Sequence, residues 1–373
     1  MSLTVCLSGY SFPYEGCGGH LWVYLNWALG LRGLGCRVLW LELVKPGTPA
    51  ARTASGIRRL KHYLAPYGLS EAVVVGTTAG GDADVADVPG LDSAVDADLL
   101  LSLRYDMTED LVRRFRRSAL VDIDPGLLQA WVSAGGIRLA RHDAYFTIGE
   151  NIGAPGMPVP DLGFGWQQTR PCIALEWWPP VPTPSEAPFT TVSQWWANEW
   201  VGDENGYRND KRSGFVPFLD LPRLTDAPLE LALALSDEDE AERAMLEELG
   251  WRVRSATEVA WTPHHYQHYI QNSLAEFSCV KPSCIRFQTA WMSDRTLGYL
   301  ASGKPAVVQH TGPSRFLPDR AGLLRFHDLD EAVECVGVVM RDSDRQGREA
   351  RALAEEYFDA RTVAASILER ALA

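Results

Sequence analysis

TAWMSDRTLGYLASGKPAVVQHTGPSRFL, residues Thr289 to Leu317, spells helix, tight turn, buried strand and polar loop in that order. Ser293 and Asp294 are good N-cap residues, because a short side-chain oxygen can accept a backbone N–H left unpaired in the first turn of a helix. Leu297, Leu300 and Ala301 follow at helical spacing. Gly303 stands where a helix end takes a left-handed residue, and Pro305 comes soon after. Ala306-Val307-Val308 is then a short apolar run suited to a parallel strand covered on both faces. Gln309-His310-Thr311-Gly312 closes it as a polar loop, and Pro313-Ser314 reads as the start of another helix. In an open α/β sheet, ligands bind beyond the carboxyl ends of the strands, where helix N-termini collect anions.

The same alternation extends to both sides. Downstream of residue 188, strands are expected at Phe189–Ser193, Leu229–Leu235, Trp251–Arg254 and Glu276–Val280. Helices are expected at Asp237–Leu249, His264–Ser273, Leu329–Arg341 and from Arg348 to the end. The first half offers strands at Leu3–Leu7, Cys36–Leu41, Glu71–Val75, Ala97–Leu103, Ala119–Ile123 and Ala144–Ile148, with helices at Leu21–Leu34 and Glu109–Arg117. Between the halves, prolines from Pro155 to Pro188 forbid a long helix or a central strand. Two successive α/β halves about a proline-rich connector imply two facing Rossmann-like domains with a cleft between them. The connector region is rich in tryptophan (Trp166, Trp177, Trp178, Trp195, Trp196, Trp200). These rings would fill an interdomain seam or wall a pocket for an acceptor molecule, with Trp177 and Trp178 the candidates for the second role.

At 373 residues, 46% hydrophobic and 22% charged, the chain can bury two sizeable cores. A formal charge of −13 argues against an extended nucleic-acid surface, which carries a basic footprint. Seven cysteines at irregular spacing fit a reducing cytoplasm better than a disulfide framework. No apolar run approaches the length of a membrane span. Arg113, Arg114, Arg116 and Arg117 form a basic run that would be a solvated face or a dock for anionic lipid.

Several motifs bear on chemistry. Gly16-Cys17-Gly18-Gly19-His20 follows the first strand, the place where a ligand approaches backbone N–H groups. It lacks the third glycine of a dinucleotide fingerprint and the Gly-Lys-Ser/Thr of a P-loop. His264, His265 and His268 include an i, i+4 pair at metal-ligand spacing, but without an intervening Glu or a partner Cys they read as polar helix-face residues, and no metal is expected. His20 opens a helix facing the expected cleft and is the candidate general base, with Asp124, at the end of a buried strand, in reserve.

Tyr299-Leu300-Ala301-Ser302-Gly303-Lys304-Pro305-Ala306-Val307-Val308 resembles the "LEAMAxGxPVV" segment of the retaining GT-B glycosyltransferases. The run Glu276-Phe277-Ser278, Lys281-Pro282, Trp291 to Arg295, Gln309 to Gly312 and Phe316-Leu317-Pro318 is similar to a group of little-characterised bacterial glycosyltransferases, as is Ala354 to Phe358. The likeness is good over about 189–373 and looser before it, through Gly18-Gly19-His20. It implies an acceptor-binding domain at 1–178, a linker at 179–188, a nucleotide-sugar domain at 189–345 and, at 346–373, a helix packing back on the first domain. It implies transfer of a sugar from a nucleoside diphosphate to an acceptor hydroxyl, with no cofactor beyond the sugar nucleotide; the aromatic connector and short chain favour a hydrophobic small-molecule acceptor, as in natural-product biosynthesis, over polymer or lipid, and a monomer or homodimer is expected. A sugar-nucleotide epimerase and a non-catalytic nucleotide- or sugar-binding protein are the alternatives. The family's Glu-x7-Glu pair falls on Ala290 and Gly298 here, so its catalytic and ribose-binding roles do not carry over.

A departing diphosphate needs donors and positive charge where its own charge develops. The candidates are Lys211, Lys281, Ser293, Asp294, Arg295, Gln309, His310, Thr311 and Gly312, with Asp294 as cap more than ligand. Gly18 and Gly19 would let the first loop approach the acceptor.

Overall fold

The structure, a computed structural model, describes residues 2–373 apart from 84, 86, 87, 198 and 202–205. The first half contains β1 (Thr4–Gly9), α1 (Gly18–Gly33), β2 (Arg37–Val44), α2 (Ala50–Leu64), β3 (Val73–Thr77) and β4 (Leu99–Ser102). It continues with α3 (Glu109–Val112), β5 (Ser118–Asp122), α4 (Leu127–Ser133), β6 (Ala144–Thr147) and β7 (Gln167–Gln168). The second half opens with β8 (Phe189–Gln194), an antiparallel pair β9 (Trp200–Val201) and β10 (Tyr207–Arg208), α5 (Lys211–Phe215) and β11 (Leu229–Ala234). Then come α6 (Glu240–Glu248), β12 (Arg252–Ser255), α7 (Ala256–Ala260), α8 (Pro263–Gln271), β13 (Ala275–Ser278) and α9 (Pro282–Phe287). The last elements are α10 (Asp294–Ala301), β14 (Ala306–Gln309), β15 (Leu323–Phe326), α11 (Leu329–Arg341), α12 (Ser343–Tyr357) and α13 (Ala360–Leu372).

Among the described residues the first sheet has seven strands in the order β3-β2-β1-β4-β5-β6-β7, and the second has six in the order β12-β11-β8-β13-β14-β15. Their ladders are parallel, which fits continuous apolar strands such as Leu99-Leu100-Leu101 and Ala306-Val307, buried on both faces. The direction of winding reverses between β1 and β4 in the first sheet and between β8 and β13 in the second. Those reversals open a crevice at the carboxyl ends of the strands, one in each domain.

Three local expectations need correction. The basic stretch is helical only from Glu109 to Val112, because Arg114 turns away to Asp92 and the Gly80 carbonyl and Arg117 reaches Ala373. Pro313-Ser314 does not start a helix. Its loop is instead pinned to the first domain, with the Ser314 hydroxyl donating to Glu150 Oε1 at 2.5 Å and Asn151 Nδ2 donating to the Pro313 carbonyl at 2.9 Å. The closing helix is two helices: α12 lies on α10, while α13 crosses onto α1, so close that a Cβ on Gly30 would be 2.6 Å from the Ala360 carbonyl. The chain therefore passes between the domains twice, once between β7 and β8 and again at Phe358-Asp359, where Ile173 N–H donates to Phe358 O and Ala360 N–H donates to Ile173 O.

The seam beside these crossings is aromatic. Trp178 is 1% exposed and packs its ring 4.8 Å from Trp22, while Trp177 lies 4.9 Å from Tyr67. Trp22 Nε1 donates across the seam to the Pro263 carbonyl at 2.9 Å. Gly18 and Gly19 belong to the same contact. A Cβ on Gly18 would fall 2.1 Å from Thr262 O, and one on Gly19 2.6 Å from the Tyr266 ring. The pair is small so that α1 can meet α8, not so that a substrate can approach. Gly18→Ala should lower stability by at least ~1–3 kcal/mol, as overpacking against a fixed carbonyl does; denaturant titration reads it, and an unchanged midpoint would refute the close approach.

Candidate functional site

A cavity of about 1030 Å³ opens beyond the carboxyl ends of β1, β4 and β5, at the reversal point of the first sheet. Its walls come from the loop after β1 (Tyr10, Tyr14), from α1 (His20, Tyr24), from the loop after β4 (Arg104 to Thr108), from the start of α3 (Glu109, Asp110) and from Asp124 after β5. Trp131 and the stretch Gly136–Ala140 close one side, and Trp291 and Asp294 of the second domain complete it. The cavity therefore joins the acid/base groups of one domain to the first residue of α10 in the other.

His20 Nε2 lies 2.9 Å from the Tyr10 carbonyl and 3.3 Å from the Tyr24 hydroxyl. A carbonyl only accepts, so this nitrogen carries the proton and Nδ1 keeps the basic lone pair. Burial lowers the His20 pKa, outweighing the opposing pull of the Tyr10 carbonyl, so the ring stays neutral at neutral pH. Asp124 accepts from the Tyr105 hydroxyl at 3.2 Å. The same hydroxyl accepts from the backbone N–H groups of Ile123 and Asp124, which fixes the turn after β5. Burial raises the pKa of Asp124, and Asp294 rises to about 7 from burial first and the charge of Asp124 second. Below them Asp122 is also pushed up to about 7 by burial, although Gln129 and Thr147 donate to it.

The cap of α10 is Ser293, whose hydroxyl accepts from Arg295 N–H at 3.3 Å. That leaves Asp294 as the first helical residue with its carboxyl in the cavity. Arg295 does not reach into the open. It spans the reversal point of the second sheet, with Nε 2.8 Å from Glu276 Oε1, Nη1 donating to Val192 O at 3.0 Å and Nη2 to Ser278 Oγ at 2.7 Å. Lys211 stands beside it, donating to Cys279 O at 2.8 Å, and burial followed by the charge of Arg295 pushes its pKa down to about 7. Lys281 pairs with Glu199 at 3.1 Å.

The loop after β14 is occupied by internal bonds. Gln309 Oε1 accepts from Val280 N–H, His310 stacks 4.5 Å from His327, and the Thr311 hydroxyl donates to Trp291 O at 2.6 Å. Gly312 has φ 122° and leaves room for the Gln288 carbonyl, which a Cβ would meet at 2.4 Å. These bonds hold the loop carrying Trp291 to Ser293, and Gln309 and Thr311 line a small cleft with Ser293 and Thr296. Gly298, where the resemblance would place a glutamate, is covered by Trp178, 3.1 Å from a Cβ there.

Trp177 and Trp178 lie in the seam and not on the cavity wall, a correction to their acceptor role. Trp195 and Trp196 bond Glu242 and Asp239 inside the second domain, and the Trp200 side chain lies outside the described residues, as does residue 198. Of the rings that do line the cavity, Tyr24 is on α1 and Trp131 on α4, while Tyr10, Tyr14, Tyr105 and Trp291 sit in loops, where single aromatics carry no periodic signal. His264, His265 and His268 lie on the exposed or half-exposed face of α8, and among the described residues no group of three His, Cys, Asp or Glu could hold a metal ion. No described helix is long and apolar enough to cross a membrane.

No protein-family model matches the chain, and no curated protein is detectably similar in sequence. Solved structures do match over the full length. An alpha-glucosyltransferase in complex with UDP superposes with a TM-score of 0.61 at 11% identity, covering 100% of both chains. Sucrose-phosphate synthase from Thermosynechococcus elongatus gives 0.57 at 12% identity, covering 99% of this chain and 98% of that one. Anabaena HepE in complex with UDP gives 0.55 at 13% identity, covering 99% of each. The chain has the GT-B fold.

Proposed function

We propose that this GT-B chain is a glycosyltransferase that takes a sugar from a nucleoside diphosphate, UDP in the first instance, and delivers it to a hydroxyl of a small molecule held in the first domain. One observation carries the reading: a single cavity joins His20 and Asp124 of the first domain to Asp294 and Trp291 of the second, at the switch point where an acceptor would meet a donor. The neighbours solved with UDP support the choice of nucleotide. In this reading neutral His20 removes the acceptor proton through Nδ1 as the glycosidic bond forms. Lys211 and the backbone N–H groups at the start of α10 receive the diphosphate, while Arg295, fixed to Glu276, adds charge from beneath.

The test is ligand-dependent melting with UDP, GDP and TDP, followed by hydrolysis of UDP-glucose without an acceptor. Stabilisation by a nucleoside diphosphate with slow sugar release supports transfer; binding without any turnover over hours points to a binding module and overturns it.

Lys211 adds a pH signature. Its pKa sits at about 7, well below the ordinary lysine value, because burial and Arg295 penalise its charge. An arriving diphosphate favours the charged form, so binding takes up a proton between pH 7 and 9 and weakens as pH rises through that window. Calorimetry in two buffers of different ionisation enthalpy should show the uptake, and Lys211→Met should abolish it. Equal enthalpies in the two buffers would remove Lys211 from the donor site.

A further inference from the structure

The cavity has a charge that its proposed role does not require. Five carboxyl groups line it (Asp106, Glu109, Asp110, Asp124 and Asp294) against two guanidinium groups, Arg104 and Arg138. Internal pairing removes some of these. Arg104, 3% exposed, is fully engaged with Asp106 and with the Gly9 and Leu43 carbonyls. Glu109 pairs with Arg113 and accepts from Arg141 N–H. Asp124 and Asp294, at the deep end between the domains, remain. Among the described residues Asp124 is bonded by Tyr105 and Asp294 by its own N–H, and no side-chain cation pairs with either.

Enclosing two carboxyls is costly: burial raises the proton affinity of both, and the charge of Asp124 raises that of Asp294 further, beyond what the charges of Lys281 near Asp124 and Arg295 near Asp294 offset. Tyr14, Tyr105, Trp131 and Trp291 surround the same space with aromatic rings. Aromatic faces and unpaired carboxylates attract the same kind of ligand, a desolvated cation on an apolar body. We propose, resting on the transferase reading, that the acceptor is an amine-bearing small molecule whose ammonium group lies at Asp124 and Asp294 and whose apolar body lies among the rings. An anionic polymer is disfavoured by the same charges, although an alpha-glucosyltransferase of this fold is solved with DNA.

Three probes of equal size separate the possibilities: tyramine, its neutral analogue tyrosol, and 4-hydroxyphenylacetate, titrated by calorimetry into the UDP-bound protein. Tyramine should bind about tenfold or more tightly than tyrosol, the size of a charged, partly desolvated contact, and 4-hydroxyphenylacetate more weakly still. Tyramine binding should also release a proton near pH 7, because an ammonium ion favours ionised Asp294. Asp294→Asn and Asp124→Asn, checked for folding by circular dichroism, should each reduce the preference for tyramine over tyrosol severalfold. Equal binding of tyramine and tyrosol, a preference retained in both variants, or tighter binding of a short DNA duplex would overturn the proposal. If UDP-glucose is still bound and hydrolysed in that case, only the acceptor class falls; if it is not, the transferase reading falls with it.

Discussion

His20→Ala is expected to lower the turnover of glycosyl transfer by about 10² to 10⁴, the range for losing a general base, with UDP affinity unchanged. The ring is held from one side by the Tyr10 carbonyl at 2.9 Å and lies 4.0 Å, centroid to centroid, from Tyr14. Its orientation is therefore set before an acceptor arrives, and its lowered pKa keeps it in the neutral form that a base requires. The rate should hold level through pH 7 and fall on the acid side only below histidine's ordinary pKa of about 6.5. Turnover near the parent value would transfer the role to Asp124, whose conversion to Asn would then carry the loss. A product that keeps the donor's anomeric configuration would remove the need for any base.

Arg295→Ala should destabilise the protein by about 3–5 kcal/mol, the cost of leaving a buried ion unpaired. Glu276 is fully buried, and its Oε1 has Arg295 as its partner at 2.8 Å. The guanidinium also ties β8 to β13 through Val192 O and Ser278 Oγ, so its loss opens the sheet at its point of reversal. Denaturant titration of Arg295→Ala reads the effect, and Arg295→Met combined with Glu276→Leu should recover most of it by removing both charges. A single variant as stable as the parent would show that the pair is not buried in solution. Because of this role, weakened UDP binding in Arg295→Ala would not by itself place the residue on the diphosphate.

The sheets are legible in the sequence because parallel strands leave continuous apolar runs. Val5-Cys6-Leu7, Leu99-Leu100-Leu101 and Ala306-Val307-Val308 all lie inside observed strands. The helix from Leu329 to Arg341 is also readable, since an aspartate cap precedes it and Ala332, Val336 and Val339 repeat at helical spacing. β15 is harder: Leu323-Leu324-Arg325-Phe326 places a charged residue inside a short strand, and Arg325 is accommodated by bonding Asp319 and the Leu317 carbonyl. α2 buries Ile57, Leu60 and Leu64 at helical spacing, with Gly56 against Phe12, but small and basic residues fill the rest of the helix and dilute that pattern.

The site divides in the same way. Asp124 stands just past the end of β5 and His20 in the first turn of the helix that follows β1, so both fall on the carboxyl side of the first sheet. The glycines before His20 point equally to a substrate or to another helix, and only the position of Thr262 and Tyr266 decides between them. Arg295 at a helix start looks like an anion ligand until the partner 19 positions earlier is seen beside it. Pairings so distant in sequence leave no local trace.

The double passage of the chain between the domains bears on how the molecule comes apart. A single connector allows two lobes to swivel freely and melt one at a time. Two connectors, clasped by Ile173 between Phe358 and Ala360, restrict that swivel toward one axis, like a lid with two hinge pins. Protease cleavage within 179–188 would leave the lobes joined through α12 and α13, and heating should give one calorimetric transition. Exchanging lobes with another protein of this fold would require two junctions to be matched together, one in the proline-rich connector and one at Phe358.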